Sequence, residues 1–252
     1  MKILTAIVGF VLILSCNSVK SEKIEGLPVS HELFDELLSK YVGDQGFVDY
    51  SGFQNERAKL QKYLDLLQST APGSSWSKEE EIAYWINVYN AFTIELVLKH
   101  YPVESIKDIG SSIQIPFVNT PWDIKFIEIG GETYDLNNVE HSILRKKWKE
   151  PRIHFAVNCA SYSCPVLRRE AYTAEKLEAQ LDDQAKRFIN DDFRNDITKK
   201  EAKLSKIFDW FSGDFKNVMP VKDFINQYAD VKITSDTNIS YKEYDWKLND
   251  QD

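Results

Sequence analysis

The sequence predicts an α+β fold in which a helical N-terminal part is followed by a small, mainly antiparallel sheet with helices. Apolar residues recur at helical spacing through the first part of the chain, up to Tyr101–Pro102. Short β-like runs then alternate with helical segments, and Gly130–Gly131 separates two of these runs in the manner of a hairpin turn. Short strands interspersed with helices are typical of an α+β fold with an antiparallel sheet.

Residues 30–75 are predicted to form a helical N-terminal lobe. Ser30 is suited to cap a first helix, which carries its apolar residues at Phe34, Leu37 and Leu38. A second helix is expected over residues 55–67, where the apolar residues again follow helical spacing. Residues 70–75 contain Pro72 and Gly73 and are expected to link this lobe to an α+β core over residues 76–249.

The clearest predicted helix begins at Ser77, which forms a capping box with Glu80, and ends at Tyr101–Pro102. Its apolar residues lie nearly all round, so the helix should be buried. Asn87 and Asn90 share one face of it, and buried amides are costly unless they are hydrogen-bonded. They are therefore either ties to neighbouring backbone or site residues that orient a histidine or donate to an oxyanion.

The second part of the chain is expected to contain shorter elements. Strands over 125–129 and 132–134 flank the two glycines, and Asn137 or Asn138 is suited to cap a short helix that carries Glu140 and His141. Because neighbouring residues diverge by about 100° around an α-helix, Glu140 is not expected to orient His141. Farther on we expect a helix after Thr173, a hairpin over 196–204, helices after Ser205 and over 221–228, and extended pieces over 231–234 and 239–244.

Residues 152–167 hold the chemistry-bearing side chains of the predicted core. Residues 153–157 form an apolar run typical of a strand, and Ser163-Cys164-Pro165 is a suitable helix start. Two of the chain's three cysteines, Cys159 and Cys164, lie here, shortly after His154 and His141. A thiol beside an imidazole is the arrangement that nucleophilic catalysis by cysteine requires.

The cysteines leave four interpretations open. In a thiol enzyme Cys164 is the first choice of nucleophile, because a helix N-terminus would lower its pKa, and Cys159 is the second; His141 is slightly favoured over His154 as the base. Alternatively, the cysteines form a local disulfide, or they bind zinc together with both histidines. In the fourth interpretation the protein is a non-catalytic binding module with an aromatic groove for a peptide or glycan.

The N-terminus predicts export. A short charged start and an apolar run to Leu14 form a signal peptide over residues 1–15, followed by Cys16. Ile13 to Cys16 is similar to the lipobox of bacterial lipoproteins, so we expect Cys16 to be lipidated and residues 16–29 to be a tether. An ordinary secretory signal is the alternative. The expected location is therefore the bacterial cell envelope, with the membrane bound through lipidated Cys16.

Composition narrows the list of partners. The formal net charge is −8 and no long basic run is present, which argues against nucleic-acid binding. A hydrophobic content of 43% allows a sizeable core. We predict no cofactor and, apart from the zinc alternative, no metal. A peptide-like or glycan component of the envelope is the expected substrate.

The order and spacing of several segments resemble the family of unknown function 547. These segments are residues 84–91 (YWINVYNA), 139–145 (VEHSILR), 151–165 (PRIHFAVNCASYSCP), 204–208 (LSKIF) and 244–249 (YDWKLN), so that the resemblance extends over residues 30–249. The resemblance implies a relation to papain-like, transglutaminase-like thiol enzymes. Histidine here precedes cysteine, which is unlike papain and similar to the permuted branch of that superfamily. We therefore expect a cysteine-dependent hydrolase or acyl transferase acting on an amide; the alternative is a binding lipoprotein with a structural disulfide.

Overall fold

A computed structural model describes residues 27–110 and 120–251. The predicted signal peptide, Cys16 and most of the predicted tether lie outside these residues. Within the described ranges, none of the helices combines the length and the apolar character that a bilayer-crossing helix needs. The α+β fold is confirmed, with a helical N-terminal part followed by small sheets and further helices.

Helices dominate the structure. The α-helices are α1 (Glu32–Tyr41), α2 (Tyr50–Asn55), α3 (Arg57–Ser69), α4 (Lys78–His100), α5 (Arg145–Lys147), α6 (Ile153–Ala156), α7 (Leu177–Ile189), α8 (Ile207–Trp210), α9 (Ser212–Lys216) and α10 (Val221–Tyr228). Two 3₁₀ turns cover Ile106–Asp108 and Pro121–Asp123, and a π-helix covers Asn138–Leu144. The capping box at Ser77 and Glu80 is confirmed, and every residue of α4 from Ile82 to Leu98 is buried.

The strands form two small sheets. Strands β1 (Ile127–Ile129) and β2 (Glu132–Tyr134) pair as the predicted hairpin, and both Gly130 and Gly131 have the positive φ angles that a tight turn of this kind requires. Strands β3 (Asp196–Ile197) and β4 (Glu201–Leu204) are antiparallel, as expected. Strand β5 (Asn238–Tyr241) pairs in parallel with β4, so this sheet is mixed. Residues 231–234 belong to no strand.

Two predicted elements around the cysteines are wrong. Residues 153–157, predicted as a strand, contain helix α6, and a short apolar run that is buried on every side gives no periodicity to separate the two structures. No helix begins at Pro165; the next one is α7, which starts at Leu177. Its apolar face is buried, as amphipathic helical spacing predicts, and consists of Leu177, Leu181, Ala185, Phe188 and Ile189.

Two hydrophobic clusters make up the core. The larger contains the buried faces of α1–α4 together with β1, the π-helix and the start of α7. The smaller joins α6 and the end of α7 to β4 and α8–α10. Phe155 of α6 lies in the smaller cluster and its neighbour Ile153 lies in the larger one, so α6 sits where the two clusters meet. The segment that follows α6 carries both cysteines.

The C-terminal residues hold the cysteine segment against the rest of the fold. The backbone N–H of Tyr162 donates to the carbonyl of Lys247, and that of Asn249 donates to the carbonyl of Ala160. In the same segment Leu248 N–H donates to the carbonyl of Glu104, and the Tyr50 hydroxyl donates to the Asn249 side chain at 2.7 Å. Residues distant in sequence therefore fix the loop that bears the thiols.

Candidate active site

Cys159 and Cys164 are free thiols whose sulfurs lie 2.7 Å apart. Cys159 is partly exposed, whereas Cys164 is only 3% exposed. The backbone N–H of Cys159 donates to the Cys164 sulfur at 2.8 Å. The two sulfurs thus share one polar environment, and Cys159 is the more exposed of the two residues.

The environment separates the acidities of these thiols. Burial raises the pKa of Cys159, but hydrogen bonds from Cys164, Ser161 and Tyr244 outweigh burial and lower that pKa to about 7. Burial and the neighbouring Cys159 sulfur raise the pKa of Cys164 well above its usual value. Since a thiolate accepts hydrogen bonds and a thiol donates one, the pair favours a Cys159 thiolate bonded by the Cys164 thiol.

Two hydroxyls complete the surroundings of the Cys159 sulfur. The Ser161 hydroxyl lies 3.2 Å from it and the Tyr244 hydroxyl 3.4 Å from it. Ser161 also donates to the Tyr244 oxygen at 3.1 Å, which leaves the Tyr244 proton available for the sulfur. The physical reason to favour Cys164 as the nucleophile is absent, because Cys164 is buried, its pKa is raised and no helix N-terminus lies beside it.

The Asn158 side chain fixes the loop that carries Cys159 through hydrogen bonds to its backbone. The side-chain oxygen of Asn158 accepts from the backbone N–H of Ala160, and its amide donates to the carbonyl of Pro165. These bonds hold Ala160 at a φ of 61°, a conformation that non-glycine residues seldom adopt. The tight turn brings Cys164 back against Cys159.

Asn87 and Asn90 serve as backbone ties. The Asn87 amide donates to the carbonyl of Tyr172 and its oxygen accepts from the Tyr172 N–H. Asn90 bonds the carbonyl of Ala156 and the N–H of Asn158 in the same way. Each side chain thus uses its oxygen and one of its two N–H donors to bond backbone, and Asn90 anchors the backbone just before Cys159.

His154 has one ring nitrogen bonded and the other unpaired. Its Nε2 lies 2.8 Å from the Asp214 carboxylate, and the ring stacks on Phe211 with centroids 3.9 Å apart. Burial lowers the pKa of His154, against the raising effect of Asp214. The ring is therefore neutral, donates from Nε2 and keeps a lone pair on Nδ1, which is buried without a hydrogen-bond partner. Such orphaned buried groups are uncommon in proteins and point to a function.

His141 is more exposed and differently paired. Its side chain is 40% exposed, and its Nδ1 lies 3.1 Å from a guanidinium nitrogen of Arg145. Arginine is only a donor, so Nδ1 accepts and the proton of a neutral ring lies on Nε2. The carboxylate of Glu140 is 3.8 Å from this Nδ1, too far for a hydrogen bond, as expected for adjacent residues.

Glu140 lies between the two imidazoles. Its Oε1 is 3.9 Å from the His154 Nδ1, which is similar to its distance from His141. Burial raises the pKa of Glu140, against the lowering effects of His141, Arg145 and a hydrogen bond with Tyr89. From this position an ionised Glu140 would stabilise a positive charge on either imidazole ring.

Asp214 was not among the residues identified from the sequence. It lies in the short helix α9 and accepts from both His154 and Arg145, which lies 2.6 Å away. Burial raises the pKa of Asp214, but these two partners outweigh it and hold the pKa far below its usual value. Nothing in the local sequence marks this aspartate, because its partners are 60 and 69 residues away.

These groups line one cavity of about 190 Å³. Both cysteines, both histidines and Glu140 lie on its wall, together with aromatic residues from the C-terminal half of the chain, Trp210, Phe211, Tyr244 and Trp246. The structure therefore brings four of the six predicted site residues together and leaves Asn87 and Asn90 outside the cavity wall. Among the hydrogen bonds of residues 27–110 and 120–251, none joins a sulfur to an imidazole. Over the same residues, no three His, Cys, Asp or Glu side chains are grouped so as to hold a metal ion.

Comparison with known proteins identifies the central part of the chain. Residues 73–189 match the family described as "Protein of unknown function, DUF547". This segment is a DUF547 domain. It contains α4, the π-helix with Glu140 and His141, and the cysteine loop, whereas Asp214 and the aromatic residues 210–246 lie beyond its matched boundary. No curated protein and no solved structure matches the chain.

Proposed function

We propose that this protein is a cysteine-dependent hydrolase or acyl transferase that acts on an amide, with Cys159 as the nucleophile. The observation that carries the proposal is the partly exposed residue Cys159, whose sulfur lies within hydrogen-bond distance of Cys164, Ser161 and Tyr244 in a cavity shared with two imidazoles. A pKa of about 7 makes a large fraction of this thiol ionised at neutral pH.

His154 is the proposed proton carrier. Its Nε2–H is held by Asp214, which leaves the Nδ1 lone pair to receive the Cys159 proton, and Glu140 and Asp214 then stabilise the imidazolium. His141, slightly favoured from the sequence, is less suitable as the base because its Nδ1 is occupied by Arg145. The contact between imidazole and sulfur must tighten when substrate binds, as it does in many catalytic pairs.

The proposed reaction is an acyl transfer through a thioester intermediate. The thiolate attacks the amide carbonyl, and the oxyanion of the tetrahedral intermediate accepts a hydrogen bond from the Tyr244 hydroxyl, which no longer has a thiolate to bond. The carbon–nitrogen bond breaks as His154 returns its proton to the leaving amine. Water or an acceptor amine then attacks the thioester, which releases the acyl group and restores the thiol.

The wider setting of the proposal comes from the sequence. We infer a lipid-anchored envelope protein, tethered through Cys16 after removal of residues 1–15, with a peptide-like or glycan substrate and a distant relation to papain-like, transglutaminase-like enzymes. The runner-up function is a non-catalytic binding module in which Cys159 and Cys164 form a structural disulfide. The close approach of the two sulfurs is the observation that supports it.

Alkylation separates the two functions. The soluble form without residues 1–16 is treated with iodoacetamide at pH 7 without reductant, and the modified sulfur is identified by fragment mass spectrometry. We expect Cys159 to react first, at least tenfold faster than Cys164, and His154→Gln to slow the hydrolysis of a peptidyl-coumarin amide library more than His141→Gln does. Cys159→Ala should abolish this hydrolysis. Sulfurs that react only after a reductant is added would favour the disulfide-bonded module.

A further inference from the structure

The wall of the thiol cavity is largely aromatic. Trp210 and Trp246 stack with centroids 5.9 Å apart, and Tyr244 lies 4.8 Å from Trp210 and 4.5 Å from Trp246. Trp122 meets Trp246 edge to face at 5.6 Å. These four rings, the ring wall, stand beside the Cys159 sulfur, which Tyr244 contacts directly. Trp210 remains 47% exposed at the cavity wall, so its ring is available to pack against a bound group.

Charges around the ring wall disfavour an ionic occupant. Lys107 lies over the Trp246 ring at 4.1 Å and Arg145 lies over Phe211 at 4.8 Å, so cations of the protein already occupy these two aromatic faces. A ligand cation would have to displace one of these side chains in order to stack on either ring. A ligand anion would meet the Cys159 thiolate and the Glu140 carboxyl in the same cavity.

The charged side chains beside the cavity are already paired with one another. Arg145 forms its ion pair with Asp214 at 2.6 Å, and His154 is bonded to the same carboxylate. Burying an unpaired charge without a partner is far more costly than burying an apolar group of the same size. The cavity of about 190 Å³ is smaller than the roughly 300–1,000 Å³ of sites for drug-sized ligands, so it suits one side-chain-sized group.

We infer that the ring wall is a specificity subsite that takes an uncharged aromatic or large apolar group attached to the reacting carbonyl. This inference rests on the proposed function, because it names the substrate class of the same thiol. The group would cover Trp210, and binding would be favoured because apolar surface leaves water and the rings stack. Substrates with a charged group at that position are rejected.

A series of bromomethyl ketones tests the subsite without a known substrate. In each reagent the Cys159 thiolate displaces bromide from the methylene carbon, forming a carbon–sulfur bond. The carbonyl carries methyl, 2-phenylethyl, 2-carboxyethyl or 3-(trimethylammonio)propyl. The protein is first reduced and the reductant is removed; rates are then measured at pH 7, and each is divided by the rate with N-acetylcysteine. We expect the corrected rate of the phenylethyl reagent to exceed that of the methyl reagent by about tenfold. The corrected rates of both charged reagents should fall below that of the methyl reagent.

Two variants test whether the preference for the phenylethyl group depends on Trp210. Trp210→Ala should reduce the ratio of the phenylethyl rate to the methyl rate at least threefold. Phe193→Ala removes a ring with 48% exposure that lies outside the cavity wall, and should retain the preference. A corrected phenylethyl rate no higher than the methyl rate, or a preference for a charged reagent, would overturn the inference. Slow reaction with all four reagents would instead count against an activated Cys159, while their ratio would still report on the subsite.

Discussion

Helix α4 and the thiol cavity both bury polar side chains, but they satisfy them differently. In α4, each of Asn87 and Asn90 pairs one N–H donor and its oxygen with backbone. In the cavity, His154 has one nitrogen bonded and the other buried without a partner. Paired polar groups stabilise a fold, whereas a buried unpaired group lowers the stability and its presence points to a function. The contrast separates side chains that position the site from those that react.

The largest expected effect comes from breaking an α4 tie. Asn90→Ala leaves the Ala156 carbonyl and the Asn158 N–H unpaired, and should lower the free energy of unfolding by about 2–4 kcal/mol in urea denaturation. Asn87→Ala is the matched control, since it unpairs two backbone groups at Tyr172. Both should destabilise, but only Asn90→Ala should also slow alkylation of Cys159. Equal alkylation rates in the folded variants would contradict the positioning role of Asn90.

The next effect concerns the carboxylate that orients His154. Asp214→Asn keeps the shape of the side chain but loses the charge that stabilises an imidazolium, so amide hydrolysis should fall about 100-fold. Asp209→Asn, in the neighbouring helix, removes an exposed partner of Lys206 and should leave the rate unchanged. If the two variants hydrolyse the peptidyl-coumarin library equally well, His154 does not depend on Asp214.

A smaller effect is expected from one hydroxyl. Tyr244→Phe removes a donor that lowers the pKa of Cys159, so that pKa should rise from about 7 by about one unit, and the midpoint of the alkylation rate should move to higher pH. Tyr241→Phe, on β5, is the control and should not move the midpoint. An unchanged midpoint in Tyr244→Phe would mean that Cys164 and Ser161 suffice to stabilise the thiolate.

The smallest effect lies far from the cavity, at His31. Burial lowers the pKa of His31 from 6.5 to about 4, although Glu175 raises it, and the ring bonds the Tyr63 hydroxyl at 2.7 Å. Because the folded pKa is below the unfolded value, the stabilisation is complete above pH 6.5 and is lost as pH falls towards 4. Thermal unfolding between pH 7 and 5 should therefore show a steeper loss of stability for the native chain than for His31→Gln. If the stabilities of the native chain and His31→Gln fall equally between pH 7 and 5, His31 is not the cause of the pH dependence.

Much of the N-terminal part could be predicted because its signals are local. The capping box at Ser77, the burial of α4 and the Gly130–Gly131 turn each depend on residues within a few positions of one another. The cysteine loop was predicted as the site for the same reason, since Cys159 and Cys164 are near neighbours of His154. The local structure around this loop was not predicted correctly, because the buried run that begins at Ile153 has no hydrophobic periodicity that would distinguish a helix from a strand.

The sequence by itself determined the fold class and the residue types of the candidate site, since periodicity, caps and turns act over a few residues. Only the tertiary structure decided which thiol is exposed, and which groups surround it. Asp214 reaches His154 across 60 residues, and Tyr244 reaches Cys159 across 85. Burial and these long-range hydrogen bonds set the thiol pKa values, and both arise only when distant segments pack together.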